Sequence, residues 1–291
     1  MKSLSRRKMM PVTGAAVFAS TQYSALAQTK LITAKEVIEQ IRKNIGVPWR
    51  EKTVDTFKIG DPETPITGIA TTFMSTFDVL KRAAASGKNL IITHEPTFWN
   101  HEDKTEEFSA DPVFQAKEEF IQKNKIVVLR FHDHWHMRRP DGIQMGVIET
   151  LGWEKYRIGD STRNFIIPEI KLSALARELQ KKTSSKTVRI IGNPQLTVKN
   201  VSIGAGYGTL QGVIRSLQQS DVVVVGEVRE WEGVEYVHDA VTAGAKKGLI
   251  ILGHAPSEDP GMTYCAKWLK TFISEVPVEA VPAGDPFWTV S

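Results

Sequence analysis

Short apolar runs alternate with longer amphipathic stretches along most of this chain. Residues 33–45 carry apolar side chains at helical spacing behind Thr33, a good N-cap, and predict a first helix. The same spacing predicts helices over 76–86, 111–124, 142–151, 171–182, 211–219, 236–243 and 262–275. Gly87 supplies a stop for the second of these, and Pro112 a first-turn start for the third. Runs rich in Val, Ile and Leu over 66–72, 90–93, 126–131, 188–191, 198–204, 222–225, 249–252 and 278–281 read as strands. Some are apolar at every position, as in strands buried on both faces. Strands alternating with helices predict an α/β fold.

Two strand ends look alike. AASGKNLIITHEP closes on His94 and Glu95, and TAGAKKGLIILGHAPSE closes on His254 and Glu258. Each has a small-residue helix tail, a glycine turn, a short apolar strand, a histidine, and a proline two residues later. The match predicts two similar α/β lobes with a metal site between them. The lobes are expected over 28–155 and 156–245, with a C-terminal segment, 246–291, completing the site. The GAGYG run at 204–208 reads as a tight turn. It lacks the Lys-Ser/Thr of a phosphate loop and the spacing of a dinucleotide fingerprint.

The N-terminus changes the charge argument. A basic start with Arg6-Arg7, a modest apolar stretch and the small-x-small site Ala25-Leu26-Ala27 predict an export signal over 1–27, with twin-arginine features. The mature protein is then expected to be periplasmic or secreted. The whole chain has 37 basic and 33 acidic residues, and four of the basic ones lie in this leader, so the remainder carries 33 of each. The high isoelectric point belongs to the leader, and no nucleic-acid partner is expected. No later apolar run is long enough to span a bilayer, so no membrane partner is expected after signal removal. Cys265 is the single cysteine, which excludes an intramolecular disulfide. Core packing, metal or self-association must supply the stability.

The seven histidines bring in the chemistry. Five of them fall in three clusters at predicted strand ends, each with a carboxylate: His94-Glu95, the run His132-Asp133-His134-Trp135-His136, and His254 with Glu258. In an extended run His132, His134 and His136 would share one face and Asp133 the other. His132 or Asp133 would then orient a ligand or move a proton rather than bind metal. Neutral imidazoles and carboxylates without thiolates suit zinc, iron, manganese, nickel or cobalt. Two ions sharing such a set can activate water and polarise a carbonyl, imine or phosphoryl oxygen. Glu227 and His238 are candidates to line the pocket, and Trp99, Trp135 and Trp231 either stack on a planar substrate or pack in the core.

Three segments carry a family resemblance. THEP at 93–96 resembles the THHP motif of the NIF3-like dinuclear-metal proteins, the GTP cyclohydrolase I type 2 homologues. GHAPSEDPG at 253–261 resembles that family's GHY-x-S/T-E-x-x-G motif, and GDPFW at 284–288 its GDPF-like ending. The resemblance implies a two-domain α/β fold, two divalent metal ions between the lobes, and a toroidal homo-hexamer. Carried across, its metal ligands are His94, Glu95, His136, His254 and Glu258. Glu95 stands where the family has a second histidine, and His136 where it has an aspartate, so three histidines and two acids are kept. A metal-dependent hydrolase is therefore expected, acting on a small molecule (a cyclic amidine, an amide or a phosphate-bearing compound), with acid–base help from His132, Asp133 or His134. The alternative is a metal-binding assembly or storage protein without turnover.

Overall fold

The computed structural model describes residues 31–290. The export signal expected over 1–27 lies outside them. Helix α1 (Ala34–Asn44) starts on a reciprocal cap, in which Thr33 Oγ1 accepts from Glu36 N–H and the Glu36 carboxylate accepts from Thr33 N–H. Strands β1 (Phe57–Ile59) and β2 (Ile69–Met74) follow, then α2 (Phe77–Ala85), β3 (Leu90–Glu95), α3 (Pro112–Lys123) and β4 (Val127–Arg130). Two helices come next, the short α4 (Asp133–Met137) and α5 (Gly142–Leu151).

The second half runs β5 (Asn164–Lys171), α6 (Leu172–Thr183), β6 (Arg189–Ile191), β7 (Thr197–Tyr207), α7 (Leu210–Gln219), β8 (Val222–Glu227), α8 (Glu235–Thr242), β9 (Gly248–Ile251), α9 (His254–Leu269) and β10 (Val278–Ala280).

These strands form two five-stranded sheets, ordered β1-β4-β3-β2-β10 and β5-β7-β8-β9-β6. Both centres are parallel: β4-β3-β2 in the first and β7-β8-β9 in the second. An antiparallel strand edges each of them, β1 on β4 and β6 on β9. Successive residues of the central strands feed opposite layers, as the two-residue period requires. Leu90 and Ile92 of β3 pack with α1 and α9, whereas Ile91 packs with α2 and α3. In the second sheet, Val222 and Val224 face α5 and α6, whereas Val223 and Val225 face α7 and α8.

The two sheets repeat one strand order, in a register that differs from the one the strand ends suggested. Setting β1-β4-β3-β2 against β6-β9-β8-β7 puts β9 opposite β4, not opposite β3. The turn after β9, carrying His254, therefore corresponds to the turn after β4, carrying His132. The end of β3 at Glu95 corresponds to the end of β8 at Glu227. Local similarity identified two strand ends but not which strand of the sheet each occupied. The fifth strands cross over: β5 follows the first half and pairs with β7, and β10 follows the second half and pairs with β2. A boundary at 245/246 thus falls inside the second sheet, whose strand β9 begins at Gly248.

Four local expectations are corrected. The GAGYG run is not a turn: β7 continues to Tyr207 across an irregular register with β8. The His132–His136 run is not extended, because the Asp55 carboxylate accepts from the backbone N–H groups of His132, Asp133 and His134 at 2.7, 2.9 and 2.9 Å and starts a helix there. Helix α9 begins at His254 rather than Met262, and Pro260 and Gly261 lie within it. Gly261 is needed there, since a Cβ would come 2.5 Å from Ile143 Cδ1, and Gly146 of α5 likewise faces the Pro260 carbonyl at 2.2 Å. Strands β1 and β5 were not expected from the pattern. β5 contains Pro168, which an edge strand tolerates because it has an unpaired side.

Candidate metal centre

The parallel strands of the first sheet deliver their ends to one place. His94 and Glu95 close β3, and β4 runs on through Phe131 into the turn of α4. His132 and His136 are four residues apart across that helical turn, so both rings fall on one side. Opposite them, α9 presents His254 and Glu258 with the same four-residue spacing. The corresponding turns of the two halves therefore deliver corresponding pairs, His132/His136 and His254/Glu258.

The six side chains converge. His94, His132 and His136 offer ring nitrogens within 4.8 Å of one another, and His94, Glu95 and Glu258 do the same with a nitrogen and two carboxylate oxygens. His254 Nε2 lies 3.7 Å from Glu95 Oε1 and 3.2 Å from Glu258 Oε2. His132 Nε2 lies 3.6 Å from Glu95 Oε1.

Each ring is held by its other nitrogen. His94 Nδ1 is 3.2 Å from the Phe131 carbonyl, His132 Nδ1 3.0 Å from Asp133, His136 Nδ1 3.1 Å from Asp141, and His254 Nδ1 3.2 Å from Glu227. A carbonyl or carboxylate accepts, so Nδ1 carries a proton and Nε2 is the nitrogen turned inward, free to serve as a ligand once it carries no proton. Such partners fix the ring orientation and raise its basicity as a ligand. Asp141 does two jobs, since its Oδ1 also accepts from Ile143 and Gln144 N–H at the start of α5.

Two features suit a bound cation. The Nε2 atoms of His94 and His136 face each other at 3.2 Å. Either a proton on one ring, shared as an N–H···N hydrogen bond, or a metal ion held by both nitrogens satisfies this pair. Glu258 Oε2 is buried, 3.6 Å from His94 Nε2 and 3.2 Å from His254 Nε2, yet it has no hydrogen bond of acceptable geometry among the described residues. A buried carboxylate oxygen left so is costly.

The electrostatics show tightly coupled charges, and against the pull of burial the Asp141 and Glu258 carboxylates raise His136. Burial, reinforced by the charge of Glu258, pushes the Glu95 carboxyl up to about 7. Burial drives His94 well below its ordinary value and also lowers His132. At His254 burial acts downward, but the carboxylates of Glu227 and Glu258 outweigh it and lift the ring to about 10.

Two supports were not read from the sequence. Arg130 is fully buried; its Nε donates to the His94 carbonyl at 3.1 Å, one terminal NH2 pairs with Glu95 Oε2 at 3.3 Å, and the other donates to the His101 carbonyl. Its only sequence signal is an arginine closing an otherwise apolar buried strand. Gly206, with φ +75°, brings the β7 backbone so close that a Cβ would sit 2.2 Å from Glu258 Oε1.

The other expected residues are placed as follows. His134 lies apart from the cluster: Nδ1 donates to Asp55 at 2.6 Å, Nε2 accepts from Arg50 N–H at 2.9 Å, and the ring stacks on Trp49. Asp133 faces His132, Thr53 Oγ1 and Val54 N–H, which makes it a holder of His132. His238 is exposed beside Glu235. Trp135 is buried among Phe131, Tyr264 and Trp268, Trp231 is 75% exposed, and Trp99 meets Phe98 and Phe108. None of the three tryptophans lines the open cleft of about 1050 Å³ that the cluster faces.

A two-sheet α/β protein with a buried His/Glu cluster between its sheets is the class that fold and site define. The sequence matches the Duf34/NIF3 (NGG1p interacting factor 3) family over residues 32–285, and the chain belongs to that family. It is 24% identical over 242 residues to a GTP cyclohydrolase 1 type 2 homolog of Clostridium perfringens, covering 79% of this chain and 88% of that one. Its fold is similar to that of a Bacillus cereus protein related to NIF3 (TM-score 0.71, 15% identity, 90% of this chain and 100% of that one). A Staphylococcus aureus hypothetical protein is similarly close (TM-score 0.70, 17% identity, 89% and 100%).

Proposed function

We propose that this protein is a metal-dependent hydrolase of a small molecule, working through two divalent ions held by His94, Glu95, His132, His136, His254 and Glu258. The observation that carries the reading is the convergence of three ring nitrogens and two carboxylate oxygens, each set within 4.8 Å, with His254 closing on Glu95 and Glu258. His132, first expected to serve as an acid–base group, has the same Nδ1-anchored, Nε2-inward arrangement as the other ligands. When bound, such ions supply Lewis acidity and lower the pKa of water.

The chain's own contribution is positional. Asp133, Asp141, Glu227 and the Phe131 carbonyl hold the four rings, so little reorganisation is needed when ligand atoms are engaged. Arg130 holds one oxygen of Glu95 and leaves the other facing the cluster. The cleft admits a small molecule from the side of Glu95, His132, His136, His254 and Glu258. The leader-like residues 1–27 support a periplasmic or secreted location. The family resemblance supports a homo-oligomer, a hexamer in its usual form, and the even charge of the chain after its leader argues against a nucleic-acid partner.

Metal analysis joined to turnover assays tests this. Purified protein should carry metal, and a panel of nucleotides, cyclic amidines and amides should contain a compound whose hydrolysis disappears in His254→Ala. Full metal occupancy with no turnover on any compound would favour storage or assembly instead, and protein without metal would sink both readings.

A further inference from the structure

The cleft has a second chemical character. Its lining also includes Arg139, Arg157, Arg163 and Arg215, although the chain after its leader has equal numbers of acids and bases. Arg157 is committed, since its guanidinium donates to Glu154 and to the carbonyls of Ser161 and Asp160. Arg139 donates to the carbonyls that end α4. Arg163 and Arg215 have no side-chain hydrogen bond or ion pair among the described residues. Beside the cluster's own Glu95 and Glu258, the carboxylates of that lining are Asp141, committed to His136 and α5, and Asp160.

The backbone positions these two guanidinium groups. Arg163 pairs with β7 through its carbonyl and Ile203 N–H, which sets it beside Gly204. A Cβ on Gly204 would lie 3.6 Å from an Arg163 terminal nitrogen, an ordinary contact distance, so the guanidinium lies alongside β7 at this point. Arg215 stands on the exposed face of α7, whose Val213 and Leu217 are buried, and its cleft neighbours Gly212 and Ser216 are small.

We propose that Arg163 and Arg215 bind the phosphate group of a phosphorylated small molecule, whose remainder reaches the His/Glu cluster. Two unpaired guanidinium groups from separate elements, lining one cavity, suit a dianion with several oxygens better than a single carboxylate. The cavity, at about 1050 Å³, is at the upper end of the range for small-molecule sites. The inference deepens the hydrolase reading and rests on it only for what happens to the ligand, because the anion site itself needs no metal.

The test uses the full chain stripped of metal with a chelator and titrated calorimetrically with inorganic pyrophosphate. Binding should persist without metal. Arg163→Gln and Arg215→Gln should each weaken it at least about tenfold while leaving metal uptake on reloading unchanged. Both positions are exposed, so the variants should fold normally. Pyrophosphate bound only by the metal-loaded protein, variants that titrate like the parent, or succinate binding as tightly as pyrophosphate would each overturn the proposal. If the protein takes up no metal but still binds pyrophosphate through these arginines, the hydrolase reading falls and the phosphate site stands. If metal loads fully and the stripped protein ignores pyrophosphate, the reverse holds.

Discussion

The two lobes use one topology for unequal work. After β4 the first lobe turns into α4, whose His132 and His136 face inward, and after β9 the second turns into α9, whose His254 and Glu258 do the same. The centres of the sheets then diverge. β3 ends in two ligands, His94 and Glu95, the first fully buried and both braced by Arg130. β8 ends in Glu227, half-exposed at 52%, which reaches only the outer nitrogen of His254. The first lobe thus supplies the more deeply buried candidate ligands. The second closes the cluster with two ligands and spends the rest of its surface on an arginine-lined cleft. One strand order frames both halves, and the candidate chemistry is distributed asymmetrically across it.

This contrast can be broken at its strongest point. His94→Ala, in the first lobe, and His254→Ala, in the closing half, should each lower metal affinity by at least about a hundredfold, read by metal analysis after dialysis. If only one of them did so, the cluster would not be shared between the lobes. Asp141→Ala and Asp133→Ala remove the holders of His136 and His132 and should cost about 10–100-fold in metal affinity. The matched control is His134→Ala. It should destabilise the fold by about 1–3 kcal/mol, by removing a buried hydrogen bond to Asp55 and the ring that stacks on Trp49, and leave metal content intact.

Gly206→Ala probes the closing half alone. A methyl group 2.2 Å from Glu258 Oε1, on a residue with φ +75°, must displace the ligand or the strand, at a cost of about 1–3 kcal/mol in thermal or denaturant unfolding. Metal affinity should fall with it. Gly204→Ala, two residues earlier on the same strand, has 3.6 Å of clearance and should change metal content little.

The smallest effect belongs to the first lobe's buried support. Lys117 is 2% exposed and donates to the Thr97 carbonyl, and burial lowers its pKa from 10.5 to about 8. Between those values the unfolded chain binds more protons than the folded one, so stability should rise with pH from about 8 to 10.5. The gain should be on the order of 1–3 kcal/mol, and Lys117→Met should flatten it. A profile that is flat in the parent would place this ammonium in a better-solvated setting.

Much of the frame was legible in the sequence. Apolar runs located β2, β3, β4, β7, β8 and β9, because strands buried on both faces show as uninterrupted Val, Ile and Leu. Caps and stops located most helices. The edge strands β1 and β5 escaped, since an edge strand half open to solvent carries no continuous apolar signal and, in β5, includes a proline. The start of α9 escaped because proline and glycine normally end helices. Here Pro260 and Gly261 lie at the α5 crossing, where a larger side chain would not fit. The ligand types were legible too, but His134 could not be told from His132 and His136. All three follow the same strand, and only the turn imposed by Asp55 sends His134 into the core.

By itself the sequence determined the elements, the α/β class, the ligand chemistry and the family motifs. Each is written in local order: the period of apolar residues, the caps, and imidazole next to carboxylate at strand ends. Tertiary structure alone decided which strands are equivalent, which histidines converge and which group orients each ring. It also decided that Gly206 must lack a side chain and that Arg163 and Arg215 share a cavity. Those facts depend on distances between residues far apart in the chain. The pairing of β10 with β2 and the crossing of α5 with α9 bring such residues together, and nothing in the local pattern records it.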